Sequence, residues 1–344
     1  MSDSAFRSYL EIGGSILLAT AVITFCISSA INNNKTETTY IPQKTNIAEK
    51  HNERIDELVE QEQLLKDPTY YEEIEEPQYG YTMTVLDVGQ GLCCLIECDE
   101  AKMLFDGGDR DTSSFVVSYL TKTRGLSYLD FVTASHYDSD HIAGLVGVLK
   151  TMKVGCVLGA PYIADTKTYE SFVSAANLKG GIVYPNIGDE FRLGSALCQV
   201  VSPQPEHPYN NEDENDDENR MCLGLRITYG NTSYLIMGDA TIDEEEESVD
   251  AGYIVPTDVL IVNHHGSASS TSERFVEAVK PQISVISVGA GNEYGHPTDI
   301  VLSRLANTLL YRTDQMGTIT IESDGTNIDV FTEKQIQAEE PSGN

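Results

Sequence analysis

The sequence predicts an α+β domain behind an apolar N-terminal segment. Three observations carry this expectation. Short apolar runs recur through the middle of the chain, and turns bearing glycine and aspartate follow them, which suits a sheet whose loops gather at one edge. A strand-to-helix turn at 135–144 joins an apolar run at 129–134 to a segment whose apolar positions Ile142, Leu145, Val146 and Leu149 recur at helical spacing. Two late hairpin patterns turn at 229–232 and 323–326.

At the N-terminus, residues 12–31 carry no charged side chain and match the ~20 residues that a membrane helix needs. A cleaved leader would have a basic n-region and a shorter apolar core, whereas here Arg7 stands against Asp3 and Glu11. Cys26 as a lipidation site is disfavoured by the bulky Phe25 before it. The alternative is a helix buried in a hydrophobic core. The expected organisation is a tail at 1–11, a single-pass anchor at 12–31, a linker or stalk at 32–79, the folded domain at 80–333 and a polar tail at 334–344. Within the stalk, Ile55, Leu58, Val59, Leu64 and Leu65 fit a short amphipathic helix. The expected location is the cell membrane, with the domain extracytoplasmic.

Apolar residues make up 40% of the 344, enough for a sizeable core, and the formal net charge is -32. Such a charge argues against unaided binding to polyanions. Seven of the 54 acidic residues lie in the run at 203–219, which reads as a solvated loop or, alternatively, as a low-affinity cation site. The seven cysteines form no CxxC pair and read as small buried apolar residues, with Cys93 and Cys94 on opposite faces of a strand.

The central turn carries the chemistry. His136, Asp138 and Asp140 alternate, so an extended turn can point all three the same way, and His141 then falls at the helix start. The plain alternative is an acidic turn with Asp140 as helix N-cap. Capping needs one side chain, which leaves both histidines and the other aspartate unexplained. Further on, a strand at 258–262 runs into Asn263, His264, His265, Gly266 and Ser267, a second turn suited to metal. A strand at 282–288 leads to Asn292 and the Gly295-His296-Pro297 turn.

Taken in order, Asp87 to Gly91 (DVGQG), Asp106-Gly107-Gly108, Ser135 to His141, Gly238-Asp239, Asn263 to Ser267 and Asn292 to Pro297 resemble the metallo-β-lactamase-fold hydrolase domain of the ComEC family of competence proteins. The resemblance covers roughly residues 81–324. It implies a four-layer αββα sandwich with two divalent metal ions, zinc or manganese. His136 and Asp138 match the first-metal positions, Asp140 and His141 the second, and Asp239 the bridging carboxylate. The His264-His265 pair supplies a late ligand, His265 being favoured with His264 left open. This chain departs from the wider superfamily by having Asp138 at a histidine position, as in the ComEC branch. It also shows no third histidine before Asp239, and Cys222 stands where serine is more usual.

Two cations about 3.5–4 Å apart can activate water and stabilise a leaving oxygen, and aspartate-rich ligation makes manganese a rival to zinc. Asp140 is the candidate for orienting the attacking water. His296 is the candidate for contacting phosphate or protonating the leaving group, the alternative being an ordinary turn residue. Ser267 and Asn292 are candidate substrate-binding residues; Ser267 and Ser269 can equally cap the following helix. Asp87 and Asp106 are expected to support the loops by hydrogen-bonding turn backbone.

Three functional expectations follow. The first is an anchored phosphodiesterase or nuclease acting on a phosphodiester, with DNA as a candidate substrate. The second is a hydrolase of a small ester, lactone or nucleotide. The third is a non-catalytic interaction protein with an eroded site. Relatives in the resembled family attach this domain to a multi-span channel, whereas one span here is not expected to form a pore. Partners would be competence or membrane proteins, none of them obligate on the sequence.

Overall fold

The structure is a computed structural model that describes residues 80–203 and 218–334. The expected anchor, the stalk and most of the acidic run at 203–219 lie outside the described residues, as does the tail beyond Lys334. Among the described residues, no helix is long and apolar enough to cross a membrane.

In chain order the strands are β1 (Tyr81–Val85), β2 (Cys94–Cys98), β3 (Ala101–Phe105), β4 (Tyr128–Thr133), β5 (Lys153–Leu158), β6 (Ile182–Val183), β7 (Glu190–Leu193) and β8 (Ala196–Ser202). They continue as β9 (Gly224–Tyr229), β10 (Thr232–Ile236), β11 (Val259–Ile261), β12 (Ile283–Ile286), β13 (Leu309–Arg312), β14 (Ile319–Ser323) and β15 (Ile328–Thr332). The helices are α1 (Ser113–Ser118), α2 (Ser139–Thr151), α3 (Lys167–Asn177), α4 (Ile242–Asp250), α5 (Glu273–Val279), α6 (Asp299–Arg304) and α7 (Thr313–Met316).

Among the described residues these strands make an eight-stranded sheet, ordered β15-β14-β1-β2-β3-β4-β5-β6, and a seven-stranded sheet, ordered β13-β12-β11-β10-β9-β8-β7. Both are antiparallel at one end and parallel at the other. The parallel halves need crossovers, and α2 between β4 and β5 and α5 between β11 and β12 supply them. Both expected hairpins are present, with Tyr229 opposite Thr232 and Ser323 opposite Ile328.

Alternation along the strands builds the layers. Met83, Ile96, Met103 and Phe105 of one sheet face Ile227, Tyr234, Ile236 and Ile261 of the other in a shared apolar layer. The next residues along, Leu95, Leu104 and Val132, turn outward onto Ile142, Leu145 and Leu149 of α2 and Phe172 of α3. On the far side, Leu235, Leu260 and Val262 pack on Phe275 and Val279 of α5 and Val301 of α6. Helices thus cover the outer face of each sheet, a mixed two-sheet architecture consistent with the αββα sandwich. Cys93 lies in the outer layer and Cys94 in the inner one, and the described cysteines are free thiols.

The ends of the parallel strands set the site. β3 runs into Asp106, β4 into Ser135-His136, β10 into Gly238-Asp239, β11 into Asn263 and β12 into Ser287. In parallel sheets the loops beyond the carboxyl ends of the strands form the usual ligand-binding crevice.

Candidate metal centre

The first half of the site hangs on one buried carboxylate. Asp106 accepts hydrogen bonds from the Ser135 backbone N–H (2.8 Å), the Ser135 hydroxyl (2.7 Å) and His141 Nδ1 (2.7 Å). Because Ser135 donates its hydroxyl proton to Asp106, its oxygen is left to accept from His136 Nδ1, 2.9 Å away. Both Nδ1–H groups are thereby fixed, and the lone pairs of both Nε2 atoms face inward. Helix α2 can approach this turn because Gly144 has no side chain; a Cβ there would overlap the Gly107 carbonyl. Asp138, two residues before Asp140, occupies the N-cap position of α2, so the alternative reading with Asp140 as N-cap is corrected. The Asp138 carboxylate makes no capping bond and lies 3.6 Å from His136 Nε2.

The second half is held differently. Asp239 follows β10 and is buried. His264 and His265 both adopt left-handed backbone (φ 50° and 55°), which a non-glycine residue adopts at a cost of roughly 1–3 kcal/mol each. The surroundings hold them there. Buried Glu245 of α4 accepts from Asn263 Nδ2 (2.8 Å), Thr271 N–H (2.5 Å) and Ser272 N–H (2.8 Å), clamping both ends of the loop. His264 N–H bonds Gly238 O at 3.1 Å, tying the loop to the Asp239 turn. His265 donates Nδ1–H to Ser287 O (2.8 Å), which again turns Nε2 inward.

The two halves meet at short range. His141 Nε2 lies 3.3 Å from His265 Nε2 and 3.2 Å from Asp239 Oδ1. His265 Nε2 lies 3.5 Å from both Asp140 Oδ2 and Asp239 Oδ2. Potential ligand atoms of His136, His141 and Asp239 group together, as do those of Asp140, His141 and His265. His136 Nε2 is buried without a hydrogen-bond partner. Imidazole lone pairs that face one another and three carboxylates at these distances need a cation among them. The residues present therefore fit divalent metal, and oxygen-rich donors with imidazole admit manganese as well as zinc.

The electrostatics agree. Burial alone would discharge His265, but Asp239, with hydrogen bonds to Asp140 and Asp239, pushes it up to about 10. His141 is raised as Asp239, Asp140 and Asp106 outweigh its burial. Burial likewise opposes ionisation of Asp140 and Asp239, and the facing histidines overcome it and lower both.

The remaining expected site residues have distinct places. His264 Nε2 reaches Asp239 Oδ2 at 3.6 Å but is partly exposed, with Nδ1 toward the Ser269 hydroxyl. Its ring meets His296 edge-on at a centroid distance of 5.7 Å, and His296 stacks on exposed Tyr294. His296 thus stands at the mouth of the site. Asn292 uses both ends of its amide within its own loop, accepting from Tyr294 and His296 N–H and donating to Gly289 and His296 carbonyls. The Ser267 hydroxyl pairs with that of Ser269 (2.9 Å). Neither caps α5: Ser272 does, accepting from Phe275 N–H. Asp87 accepts from Gly89 N–H within the DVGQG turn. That turn abuts the Asp140 backbone through Gly91 and receives the Ser287 hydroxyl on Gly91 O (2.7 Å).

Sequence reasoning assigned no role to Ser135, Glu245 or Ser287. Ser135 sits inside the central turn, yet its bridging between Asp106 and His136 depends on β3 and β4 lying side by side. Glu245 is one of four consecutive glutamates and reads as solvated.

A scan against protein-family profiles finds no match. Among curated proteins, the chain is 30% identical over 246 residues to competence protein ComA of Neisseria gonorrhoeae, covering 71% of this chain and 32% of that one. It is 32% identical over 208 residues to ComE operon protein 3 of Bacillus subtilis (59% and 26%), and 28% identical over 242 residues to recombination protein 2 of Haemophilus influenzae (68% and 27%). The chain thus spans about a third or less of the length of these relatives. Similar solved structures include the metallo-β-lactamase fold protein YhfI of Bacillus subtilis, with a TM-score of 0.47, 12% identity, and coverage of 73% of this chain and 100% of that one. Another is the diiron β-hydroxylase CmlA of Streptomyces venezuelae, with a TM-score of 0.47, 16% identity, and coverage of 72% and 55%. The chain is a homologue of the ComA and ComEC-type competence proteins, and its solved structural neighbours are metallo-β-lactamase-fold proteins.

Proposed function

We propose that this chain is a membrane-anchored, divalent-metal-dependent hydrolase of phosphodiesters, nucleic acid among them. The observation that carries the proposal is the convergence of three imidazole Nε2 atoms, each with its Nδ1 hydrogen-bonded away from the site, on Asp140 and Asp239. His136, Asp138 and Asp239 would hold one cation, and Asp140, His141, His265 and Asp239 the other. Such a pair, zinc or manganese, supplies hydroxide at neutral pH and neutralises charge that develops on phosphate. Asp140, held ionised by His141 and His265 against its burial, accepts a hydrogen bond from the attacking water and orients it. His296, lowered by burial and then by His264, is neutral at pH 7 and stands ready to hydrogen-bond a phosphate oxygen at the mouth. Residues 12–31 supply the anchor and place the domain outside the cytoplasm, beside competence or membrane proteins.

A second substrate class is favoured by the net charge of -32, which repels a long polyanion but hardly affects a small ester, lactone or nucleotide. The test is the full chain, stripped and reloaded with manganese or zinc, against a chromogenic phosphodiester and single- and double-stranded DNA. The expected result is metal-dependent cleavage that falls by at least about 1000-fold in Asp140→Ala, some 4 kcal/mol of barrier. Metal binding without phosphodiester turnover supports the small-ester substrate class; absence of bound metal supports a non-catalytic interaction protein.

A further inference from the structure

Tyr294 is the most exposed aromatic side chain among the described residues, at 70%. A ring that shows this much surface adds little to an apolar core, so packing does not account for it. Its main chain, by contrast, is firmly held. Asn292 Oδ1 accepts from Tyr294 N–H (3.1 Å) and His296 N–H (3.0 Å), while Asn292 Nδ2 donates to His296 O (2.7 Å) and Gly289 O (3.0 Å). Both ends of this loop are fastened to the site. Gly289 N–H bonds Gln90 Oε1 at 3.3 Å, in the turn that abuts Asp140, and Thr298 N–H bonds Gly266 O at 3.0 Å, next to His265.

One face of the Tyr294 ring lies on His296, with centroids 5.7 Å apart and planes 25° from parallel. His296 in turn meets His264 edge-on at 5.7 Å, and His264 Nε2 lies 3.6 Å from Asp239 Oδ2. The exposed Tyr294 ring is therefore two ring contacts away from the residue that leads to the bridging carboxylate. His296 Nδ1, sheltered from solvent, has no hydrogen-bond partner among the described residues, so a ligand can still engage it. We infer that Tyr294 is a stacking platform for an unpaired nucleobase of the substrate, beside the phosphodiester held at the cations. A net charge of -32 gives this chain little attraction for a phosphate backbone. Stacking needs no charge and accepts any base, because every base has a π-face. In a duplex those faces are already stacked on their neighbours, so the platform selects single strands or small nucleotides. A ring on a main chain fixed in advance also loses little freedom when it binds.

This inference rests on the phosphodiesterase proposal and narrows its substrate, so the experiment separates the two. Calorimetry on the manganese-loaded full chain compares thymidine 5′-phosphate with deoxyribose 5-phosphate, which has the same phosphate and sugar without the base. The nucleotide should bind the wild type about 10-fold or more tightly; Tyr294→Phe should keep that advantage and Tyr294→Ala should erase it. In a turnover arm with DNA of one sequence, Tyr294→Ala should raise KM for the single strand about 10-fold, toward that for duplex, while kcat changes little. A misfolded variant would lose kcat as well. Equal affinity of the wild type for the two phosphates, or a base advantage that survives in Tyr294→Ala, would overturn the inference; continued DNA cleavage would leave the hydrolase standing. No cleavage by the wild type would overturn the hydrolase, and the calorimetry would still decide whether Tyr294 stacks a base.

Discussion

The two loops that meet at the candidate metal centre hold their histidines by opposite means. The 135–141 loop is relaxed: it passes from strand to helix in ordinary backbone, and a single carboxylate, Asp106, sets both rings. The 263–272 loop is strained: two consecutive histidines sit at positive φ, held in place by a clamp from α4 and a carbonyl of the neighbouring strand end. The lesson is that contiguous ligands can be placed on unstrained backbone once a single carboxylate, Asp106, orients their rings, whereas a ligand presented from left-handed backbone also needs its main chain held from elsewhere. The relaxed loop depends on how closely a helix can approach it, and the strained loop depends on one buried acid.

The comparison can be broken from either side. Gly144→Ala should have the largest effect, because the new methyl group meets backbone at Gly107 and neither partner can yield; a loss of roughly 3–5 kcal/mol, read by denaturant unfolding, is expected. Glu245→Ala leaves Asn263 Nδ2 and the N–H groups of Thr271 and Ser272 without their acceptor, for about 2–4 kcal/mol. It should also cost metal affinity through His265 while leaving the 135–141 loop intact, which separate proteolysis of the two loops would show. Equal loosening of both would sink the distinction.

The smallest effect is a pH dependence. His141 and His265 are raised in the fold, so the stability they contribute is complete below about 6.5 and is lost as pH rises, for His265 toward about 10. Glu245 acts in the same direction at lower pH: burial raises it to about 7, so the folded state holds its proton more tightly and stability declines from about 4.5 upward. In chelator, Tm should therefore fall from mildly acidic to alkaline pH by a few degrees. Saturating manganese should remove the histidine part of that fall, because a cation then replaces the proton among the Nε2 atoms. A flat Tm in chelator between pH 6.5 and 10 would show that no proton is shared there.

Much of this was legible in the sequence, for identifiable reasons. The ligands at 136–141 are contiguous, and the alternation that brings His136, Asp138 and Asp140 together is a property of extended chain. The hairpins at 229–232 and 323–326 announced themselves through glycine beside asparagine in the first and beside aspartate in the second. What stayed hidden depends on tertiary contact. Nothing in the His264-His265 pair says which ring turns inward, because the choice is made by Ser287 O on a neighbouring strand end. Helix α4, with the sequence IDEEEESVD, looks like a solvated acidic face, yet Glu244 and Glu245 are buried. Helix α6 and strand β13 lack strong periodicity and are set by packing on elements already in place.

The pairing of His141 with His265 joins points 124 residues apart in the chain, each just beyond a strand of a different sheet. A metal ion shared by them would act as a reversible cross-link. A covalent link closing a loop of about 100 residues restricts the unfolded chain by some 4–5 kcal/mol; a coordinated link that is lost on opening stabilises instead by the free energy of ion binding to the folded chain. The rate at which the two sheets separate would then be governed by metal dissociation. A chelator would act as an accelerant of unfolding, and the lifetime of the folded chain would track the free metal concentration around it.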